Sequence, residues 1–414
     1  MFGVQEICNA AAILILVLLW AIPLFLFIPL VSPIILLEFY LLNKYRRFDP
    51  KSPDQIQSFN PLFSQFHKRK SASNDSCIEP SGFDLKLFTI VYNADIFLNK
   101  ILDSYSAIFA FVFDKLIGVE IFAKGAENLT DFDAIPIMIS NHVSYYDWIH
   151  IVILFRSLKA QGSCLFLVTS DVQNIPMFGI YSFLKHQCFL ERKYEKDRAT
   201  LNRYFNYIDP FNINRLVIFV EGNIMFERTW KYRNKILSEK NLPIFHNLMS
   251  PKFGGLKLLL DNFDFLDPEN QNRPIIFLTI QHPSNFPLMP QDLLTTSKYK
   301  IFVDIEVNRK EEIFGKSSVP SQENSSQIED GLNHKWHIMD KNIGEFKNSF
   351  EKKEKEYVKI IGCDRSIFVS MALHFANFLM IIKLCMVFRP LSILLYLLLC
   401  IFCQTLIINL YKYL

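Results

Sequence analysis

Long apolar blocks occupy both ends of the chain, and a mixed segment separates them. Residues 7–37 contain no charged side chain, and residues 366–414 are apolar apart from a break at Lys383, Arg389 and Pro390. A helix of about 20 residues crosses a bilayer. Each block therefore predicts membrane helices that either span or re-enter. A cleaved signal peptide is the rival interpretation of the first block, and a buried core helix is that of the second.

The middle of the chain alternates between strand-like and helix-like patterns. The strand-like runs lie at 135–140, 164–169, 187–191, 216–220, 275–280 and 301–305, and the helix-like runs lie at 148–159, 195–208 and 254–262. Such alternation predicts an α/β fold with a mostly buried central sheet and flanking helices. Residues 85–122 are apolar but interrupted by charges, which favours amphipathic helices at a membrane interface. Residues 314–333 are polar and of low complexity, which favours a disordered loop.

These patterns divide the chain into five predicted regions. They are a membrane anchor (1–44), a polar linker (45–84), a catalytic domain (85–310), a charged and partly disordered linker (311–365) and C-terminal membrane helices (366–414).

Charge adds an orientation to this picture. The net charge of +3 gives no reason to expect a nucleic-acid partner, but basic residues cluster between the two apolar blocks, after the first at 44–70 and before the second at 341–359. The positive-inside rule then predicts that the middle segment is cytosolic. The glycosylation sequons at Asn74, Asn128 and Asn324 are therefore expected to be unused. The eight cysteines form no disulfide framework, and the sequence predicts no metal site.

The pair His142 and Asp147 is the first candidate for chemistry. It follows the strand-like run 135–140 as Asn141-His-Val-Ser-Tyr-Tyr-Asp147. A carboxylate that holds one imidazole nitrogen leaves the other free to take a proton from a hydroxyl. A structural alternative is that His142 ends the strand and Asp147 caps the next helix.

Three further motifs follow in order. They read Ile175-Pro-Met-Phe-Gly179 with Phe189-Leu-Glu-Arg192, then Phe219-Val-Glu221-Gly222-Asn223, then Pro251-Lys252-Phe-Gly-Gly255. Together with the His-Asp motif they resemble the glycerophospholipid acyltransferases, the family of lysophosphatidic acid and lysocardiolipin acyltransferases. The resemblance covers roughly residues 85–310. It implies that His142 and Asp147 are catalytic.

The resemblance also implies a substrate-binding set. Arg192 is the candidate for the acceptor phosphate, because a guanidinium can hold two phosphate oxygens at once. Gly179 allows close backbone approach. The structural alternatives are a surface charge paired with Glu191 or Glu195 for Arg192, and an ordinary turn for Gly179.

The Glu221 motif is implied to bind the glycerol backbone of the acceptor. Glu221 can accept a hydrogen bond from a hydroxyl, Gly222 leaves room for substrate, and Asn223 can hydrogen-bond. Lys252 is a candidate phosphate or coenzyme A contact, with a solvated lysine as the alternative. The family motif has Pro, Thr and Arg where this chain has Val220, Asn223 and Lys252. These departures leave the choice of acceptor open.

The sequence thus predicts an acyl-CoA-dependent acyltransferase of the bilayer, acting on lysophosphatidic acid or on a lysophospholipid with a larger head group such as lysophosphatidylinositol. Acyl-CoA is a co-substrate, and no cofactor or metal is expected. A CoA-independent transacylase and a non-catalytic lipid-binding or scaffold protein are the alternatives.

Overall fold

A computed structural model of the chain describes residues 102, 110–129, 136–158, 163–175, 179, 181–182, 185, 187–208, 213–266, 274–282, 292, 299–315, 322–360 and 398. The predicted N-terminal anchor, the polar linker 45–84 and, apart from Leu398, the predicted C-terminal membrane helices lie outside these residues. Among the helices that are described, none combines the length and apolarity needed to cross a membrane.

The described residues belong to two compact units. The first includes Phe109–Leu167 and Asn214–Ile367, and the second includes Val168–Ile213. The strands are β1 (Val119–Lys124), β2 (Ile137–Ser140), β3 (Ser163–Thr169), β4 (Cys188–Leu190), β5 (Ile213–Phe219), β6 (Pro274–Gln281), β7 (Tyr299–Arg309) and β8 (Val358–Ile360). The α-helices are α1 (Asp147–Ser157), α2 (Tyr194–Ile208), α3 (Glu227–Glu239), α4 (Phe253–Leu266), α5 (Lys310–Phe314), α6 (Gln322–Asn348) and α7 (Phe350–Lys353). Short π and 3-10 turns lie at Val112–Ile117, Ala126–Asn128, Ser170–Asn174 and Glu354–Glu356.

The first unit is built on a mixed sheet with the strand order β3-β5-β2-β6-β7-β1-β8. β2 runs parallel to both β5 and β6, whereas β7 is antiparallel to β6 and parallel to β1. Every residue of β2 and all but the first of β6 are buried. Uniform burial is typical of strands covered on both faces, and it explains their continuous runs of Ile, Met, Phe and Leu. The predicted α/β fold with a buried sheet is confirmed.

Two strands, β1 and β8, were missing from the prediction. β1 lies in the stretch assigned to interfacial helices, but its residues alternate between core and surface and pair with β7 and β8. Alternation of this kind is the signature of a strand. The prediction of interfacial helices at 85–122 is therefore wrong for residues 119–122.

The prediction of a disordered loop at 314–333 is wrong from residue 322 onward, where α6 begins. The part of the predicted linker 311–365 that α6 occupies is therefore an ordered element. Its buried apolar residues recur every three or four positions, as one face of a helix requires. They are Ile328, Leu332, Trp336, Met339, Ile343 and Phe346. The polar residues between them concealed this face in the sequence.

Candidate functional site

The site lies where β2 and β5 end. The two strands are parallel, with Ser140 opposite Phe219, so the residues after each strand emerge side by side. His142 and Glu221 each follow their paired residue by two positions. Carboxyl ends of parallel strands are common places for binding sites. The strand register therefore brings together two motifs that lie 79 residues apart.

Asp147 is the first residue of α1, and its side chain is fully buried. Its Oδ2 atom accepts hydrogen bonds from the backbone N–H groups of Val143 at 2.6 Å and Ser144 at 2.8 Å. Its Oδ1 atom accepts one from the Ser144 hydroxyl at 3.1 Å. Burial opposes ionisation, but the hydrogen bond from His142 and the nearby His150 ring hold the pKa of Asp147 below its usual range.

Asp147 is therefore a fixed anion. The alternative assignment of Asp147 as a helix cap is wrong, because Tyr146 occupies the N-cap position.

His142 directs the Nδ1 edge of its ring at this anion. Its Nδ1 atom lies 2.9 Å from Asp147 Oδ2. An ionised carboxylate is acceptor-only, so Nδ1 carries the proton and Nε2 is left as the basic nitrogen. The ring stacks on Phe219 at 4.3 Å and remains 19% exposed, whereas Asp147 is 0% exposed. The predicted contact between the two side chains is thus present, with the imidazole accessible and the carboxylate enclosed.

Glu221 is a buried carboxyl that holds the main chain. Its Oε2 atom accepts the backbone N–H of His142 at 2.8 Å, and its Oε1 atom accepts that of Met249 at 2.9 Å. Burial raises the pKa of Glu221 to about 8, although both hydrogen bonds favour the ionised form. In this arrangement Glu221 fixes the backbone of the candidate base. A direct contact between Glu221 and an acceptor hydroxyl stays a prediction.

The loop after Glu221 is pinned on both sides. The backbone N–H of Met225 donates to the His142 carbonyl at 2.9 Å. The guanidinium of Arg233 on α3 donates to the carbonyls of Glu221 at 3.0 Å and Ser250 at 3.1 Å. Hydrogen bonds to main-chain carbonyls therefore hold the His142 motif and the Glu221 motif together.

Gly222 and Lys252 lie next to each other in this loop. Gly222 has a φ of +66°, in the left-handed region that favours glycine. A Cβ atom added there would come within 3.4 Å of the Lys252 side chain, and the Lys252 backbone N–H donates to Val220 at 2.7 Å. Lys252 is exposed and Asn223 is half-buried. Their roles toward a substrate stay predictions.

Gly179 and Arg192 belong to the second unit. A Cβ atom at Gly179 would lie 2.3 Å from the Gln173 carbonyl oxygen, so this position requires glycine. Arg192 follows β4, is exposed, and has a φ of +62°. The carboxylate of the adjacent Glu191 accepts a hydrogen bond from Lys196 at 2.8 Å. Phosphate binding by Arg192 stays a prediction.

Two further residues of this site received no role from the sequence. The Asn141 side chain bridges to β6, donating to the Ile280 carbonyl at 2.9 Å and accepting the Ile280 N–H at 2.7 Å. His150 lies on α1 three residues after Asp147, which places both on one helix face. That spacing was a usable signal for His150. No cluster of three potential metal ligands occurs among the residues that the structure describes.

Comparison with known proteins finds acyltransferases. Residues 120–261 match the family model Acyltransferase. The chain is 26% identical over 181 residues to a protein of Arabidopsis thaliana named "Probable 1-acyl-sn-glycerol-3-phosphate acyltransferase 5", which covers 42% of this chain and 46% of that protein. It is also 26% identical over 163 residues to lysocardiolipin acyltransferase 1 of Gallus gallus, which covers 38% of this chain and 41% of that protein.

The chain thus matches less than half the length of these two relatives. Among solved structures, the 1-acyl-sn-glycerophosphate acyltransferase of Thermotoga maritima aligns with 76% of this chain and 95% of that chain, at 17% identity and a TM-score of 0.35. Residues 120–261 thus form an acyltransferase domain, and the curated relatives that resemble this chain are named as 1-acyl-sn-glycerol-3-phosphate and lysocardiolipin acyltransferases.

Proposed function

We propose that the chain transfers a fatty acyl group from acyl-CoA to the free glycerol hydroxyl of a lysophospholipid. The observation that carries the proposal is the contact of 2.9 Å between His142 Nδ1 and Asp147 Oδ2, with the imidazole partly exposed and the carboxylate buried. This geometry suits a general base that acts on a hydroxyl.

In the proposed reaction the acceptor hydroxyl gives its proton to Nε2 of His142, and its oxygen attacks the thioester carbonyl carbon. The C–S bond then breaks, and the coenzyme A thiolate takes the proton from the His142 imidazolium. Asp147 stabilises the imidazolium between these steps. Ser144, two residues after the base, is buried and its hydroxyl donates to Asp147, so it is a poor nucleophile. Direct transfer without an acyl-enzyme follows.

The acceptor belongs to the class of phosphate-bearing glycerol lipids. Lys252 lies beside Gly222 at the loop that follows β5, and an exposed ammonium there is suited to a phosphate or to coenzyme A. Arg192 remains the second candidate cation. Lysophosphatidic acid and a lysophospholipid with a larger head group, such as lysophosphatidylinositol, are the two acceptors to compare. The apolar ends of the chain support a site at the cytosolic face of the endoplasmic reticulum membrane.

The proposal is tested with microsomes that carry the wild type, His142→Ala or His334→Ala. His142→Ala removes the imidazole but keeps the backbone N–H that donates to Glu221, so the loop remains anchored. His334 is exposed on α6 and provides the matched control. A panel of lysophospholipids is supplied with labelled acyl-CoA. We expect transfer to fall by about 10²–10⁴-fold in His142→Ala and to be unchanged in His334→Ala.

Two arms of this assay separate the alternatives. Transfer from a labelled phospholipid when acyl-CoA is omitted would identify a CoA-independent transacylase. Equal activity of wild type and His142→Ala with every acceptor and donor would reject the enzyme and leave a lipid-binding or scaffold protein.

A further inference from the structure

A second imidazole faces Asp147 from the interior of the first unit. His150 lies one helical turn beyond Asp147 and is 1% exposed. Its Nδ1 atom is 3.8 Å from Asp147 Oδ1, whereas His142 approaches Oδ2. The two histidines thus address opposite oxygens of one carboxylate.

The far side of the His150 ring contacts a tyrosine. The Nε2 atom lies 3.2 Å from the Tyr299 hydroxyl. A neutral imidazole has one donor and one acceptor nitrogen. If Nδ1 were the acceptor, its lone pair would face the Asp147 anion, which is electrostatically unfavourable. The favoured tautomer therefore has Nδ1–H directed at Asp147 and Nε2 accepting from Tyr299.

His150 contributes a dipole rather than a charge. Burial lowers the pKa of His150, although Asp147 acts in the opposite direction. Burial also lowers the pKa of His282, whose ring lies 6.5 Å away, to about 4 and raises that of Tyr299. At neutral pH these neighbours are uncharged. Nδ1 of His150 has no hydrogen-bond partner within the described part of the chain, because 3.8 Å is too long for one.

We infer that His150, oriented by Tyr299, is a positioning residue that keeps the Asp147 carboxylate ionised and directed at His142. The inference rests on the proposed function. The acceptor proton moves to His142, and His150 neither gains nor loses a proton. Hydrogen bonds in catalytic sites are often long without substrate and shorten in the complex. We expect the contact between His150 and Asp147 to shorten in this way when substrate binds.

The pH dependence of the reaction reports this role. The positive end of the Nδ1–H dipole opposes protonation of the His142–Asp147 pair. Its removal makes the pair bind a proton more tightly, whichever of the two residues receives it. In a plot of kcat/KM against pH, the decrease on the acidic side (the acid limb) then moves to higher pH. Glu221, Tyr146, His282 and Tyr299 also face this pair, but they are unchanged in a His150 variant.

Two amide substitutions form a matched pair. The side-chain amide of His150→Asn reaches the place of Nδ1, and that of His150→Gln reaches the place of Nε2. His150→Gln is expected to lower kcat about tenfold and to move the acid limb upward by about half a pH unit, less than loss of a direct oxyanion donor would cost. His150→Asn is expected to keep the wild-type limb. KM for the acceptor should change little in either variant.

A second readout does not require activity. Diethyl pyrocarbonate modifies unprotonated imidazole, so the rate of His142 modification against pH, followed by peptide mass spectrometry, reports protonation of the pair. We expect His150→Gln to shift this profile upward together with the acid limb. If His150→Gln does not fold, Tyr299→Phe tests the same contact from its far end, with a smaller upward shift expected.

The outcomes are distinct. Unshifted profiles in His150→Gln, or in Tyr299→Phe where it replaces that variant, would overturn the inference and leave His150 as a core residue. Equal shifts in His150→Asn and His150→Gln would overturn it as well. If wild type shows no transfer that depends on His142, the proposed function fails, and the modification profile still decides whether His150 acts on the pair.

Discussion

At the scale of single residues, main-chain hydrogen bonds orient the two carboxyl groups of the site. Asp147 receives backbone N–H groups from its own loop, and Glu221 receives those of His142 and Met249. Both carboxyl groups are buried, but their protonation differs. Asp147 has more donors and a depressed pKa, whereas burial dominates at Glu221. One residue can therefore stabilise a cation while the other positions the backbone.

Asp147→Asn tests the charge separately from the shape. The asparagine oxygen can keep the backbone contacts at Oδ2, so the fold should persist. The imidazolium of His142 would lose its counter-charge, and we expect kcat to fall by about 100-fold or more with little change in KM. Steady-state kinetics against acceptor concentration measure both. A change in KM without a fall in kcat would contradict the assignment of Asp147 as the counter-charge of His142.

Glu221 gives the protein a pH-dependent stability. Its pKa is raised from 4.5 to about 8 in the folded protein. Between pH 4.5 and 8 the folded state keeps a proton on Glu221 that the unfolded state releases. The free energy of unfolding is therefore highest below pH 4.5 and decreases as the pH rises toward 8. Each unit of difference corresponds to about 1.4 kcal/mol.

Glu221→Gln should remove this slope. The thermal unfolding midpoint of the variant is expected to be lower at acid pH, because an amide NH₂ cannot accept one of the two backbone N–H groups, and to vary less between pH 5 and 8. A variant midpoint that falls with pH as steeply as the wild-type midpoint would show that another group carries the effect.

At the scale of elements, α6 supports the segment 246–249, which leads to the candidate site. The Asp340 carboxylate accepts the backbone N–H groups of His246, Asn247 and Leu248. The Trp336 indole donates to the Met249 carbonyl at 2.9 Å, and the Met249 N–H donates to Glu221. A continuous set of hydrogen bonds thus leads from α6 through the segment 246–249 to Glu221 and the backbone of His142.

Gly331→Ala tests whether α6 is packed as an element of the fold. In an exposed helix this change stabilises by up to about 1 kcal/mol. Here the new Cβ atom would lie 2.1 Å from the Ile313 carbonyl oxygen on α5. We therefore expect a lower unfolding midpoint. Asp330→Ala, at an exposed position on the same helix, is the control and should change the midpoint little. A midpoint raised by Gly331→Ala would contradict the packing of α6 on α5.

Asp340→Ala tests the support of the loop. Loss of a buried charged acceptor is expected to cost about 3 kcal/mol, because three backbone N–H groups lose their partner. It should also lower kcat through Glu221. Denaturant unfolding and kinetics are compared with Ile338→Ala, which alters an exposed side chain of α6. Full activity in a folded Asp340→Ala protein would separate α6 from the site.

At the scale of the whole molecule, the family match covers residues 120–261, and the basic residues beside the apolar ends predict a cytosolic domain. Asn128 belongs to a sequon and is exposed on a 3-10 turn, so its side chain is accessible in the part of the chain that the structure describes. We expect native protein to show no mobility shift on endoglycosidase treatment. A luminal glycoprotein from the same microsomes is the positive control, and a shift of this chain would reverse the predicted orientation.

Much of the central sheet could be predicted from the sequence. The continuous apolar runs of β2, β5 and β6 identify buried strands without tertiary information, because strands covered on both faces have no polar side. Each of the four motifs is also a short sequence pattern, and their order along the chain indicated the acyltransferase family. What escaped prediction were elements whose pattern is weak by itself. β1 is short and two of its six residues are charged, and the apolar residues of α6 are separated by polar ones and interrupted by Gly331.

The chain by itself thus determined most of the sheet, the His142–Asp147 pair and the class of chemistry, because these depend on residue type and short spacing. Only the tertiary structure decided that Glu221 holds the backbone of His142, that α6 supports the loop behind it, and that Tyr299 of β7 contacts the His150 ring. Each of these contacts depends on strand register or on the packing of distant segments. Neither is recorded in the local pattern of the sequence.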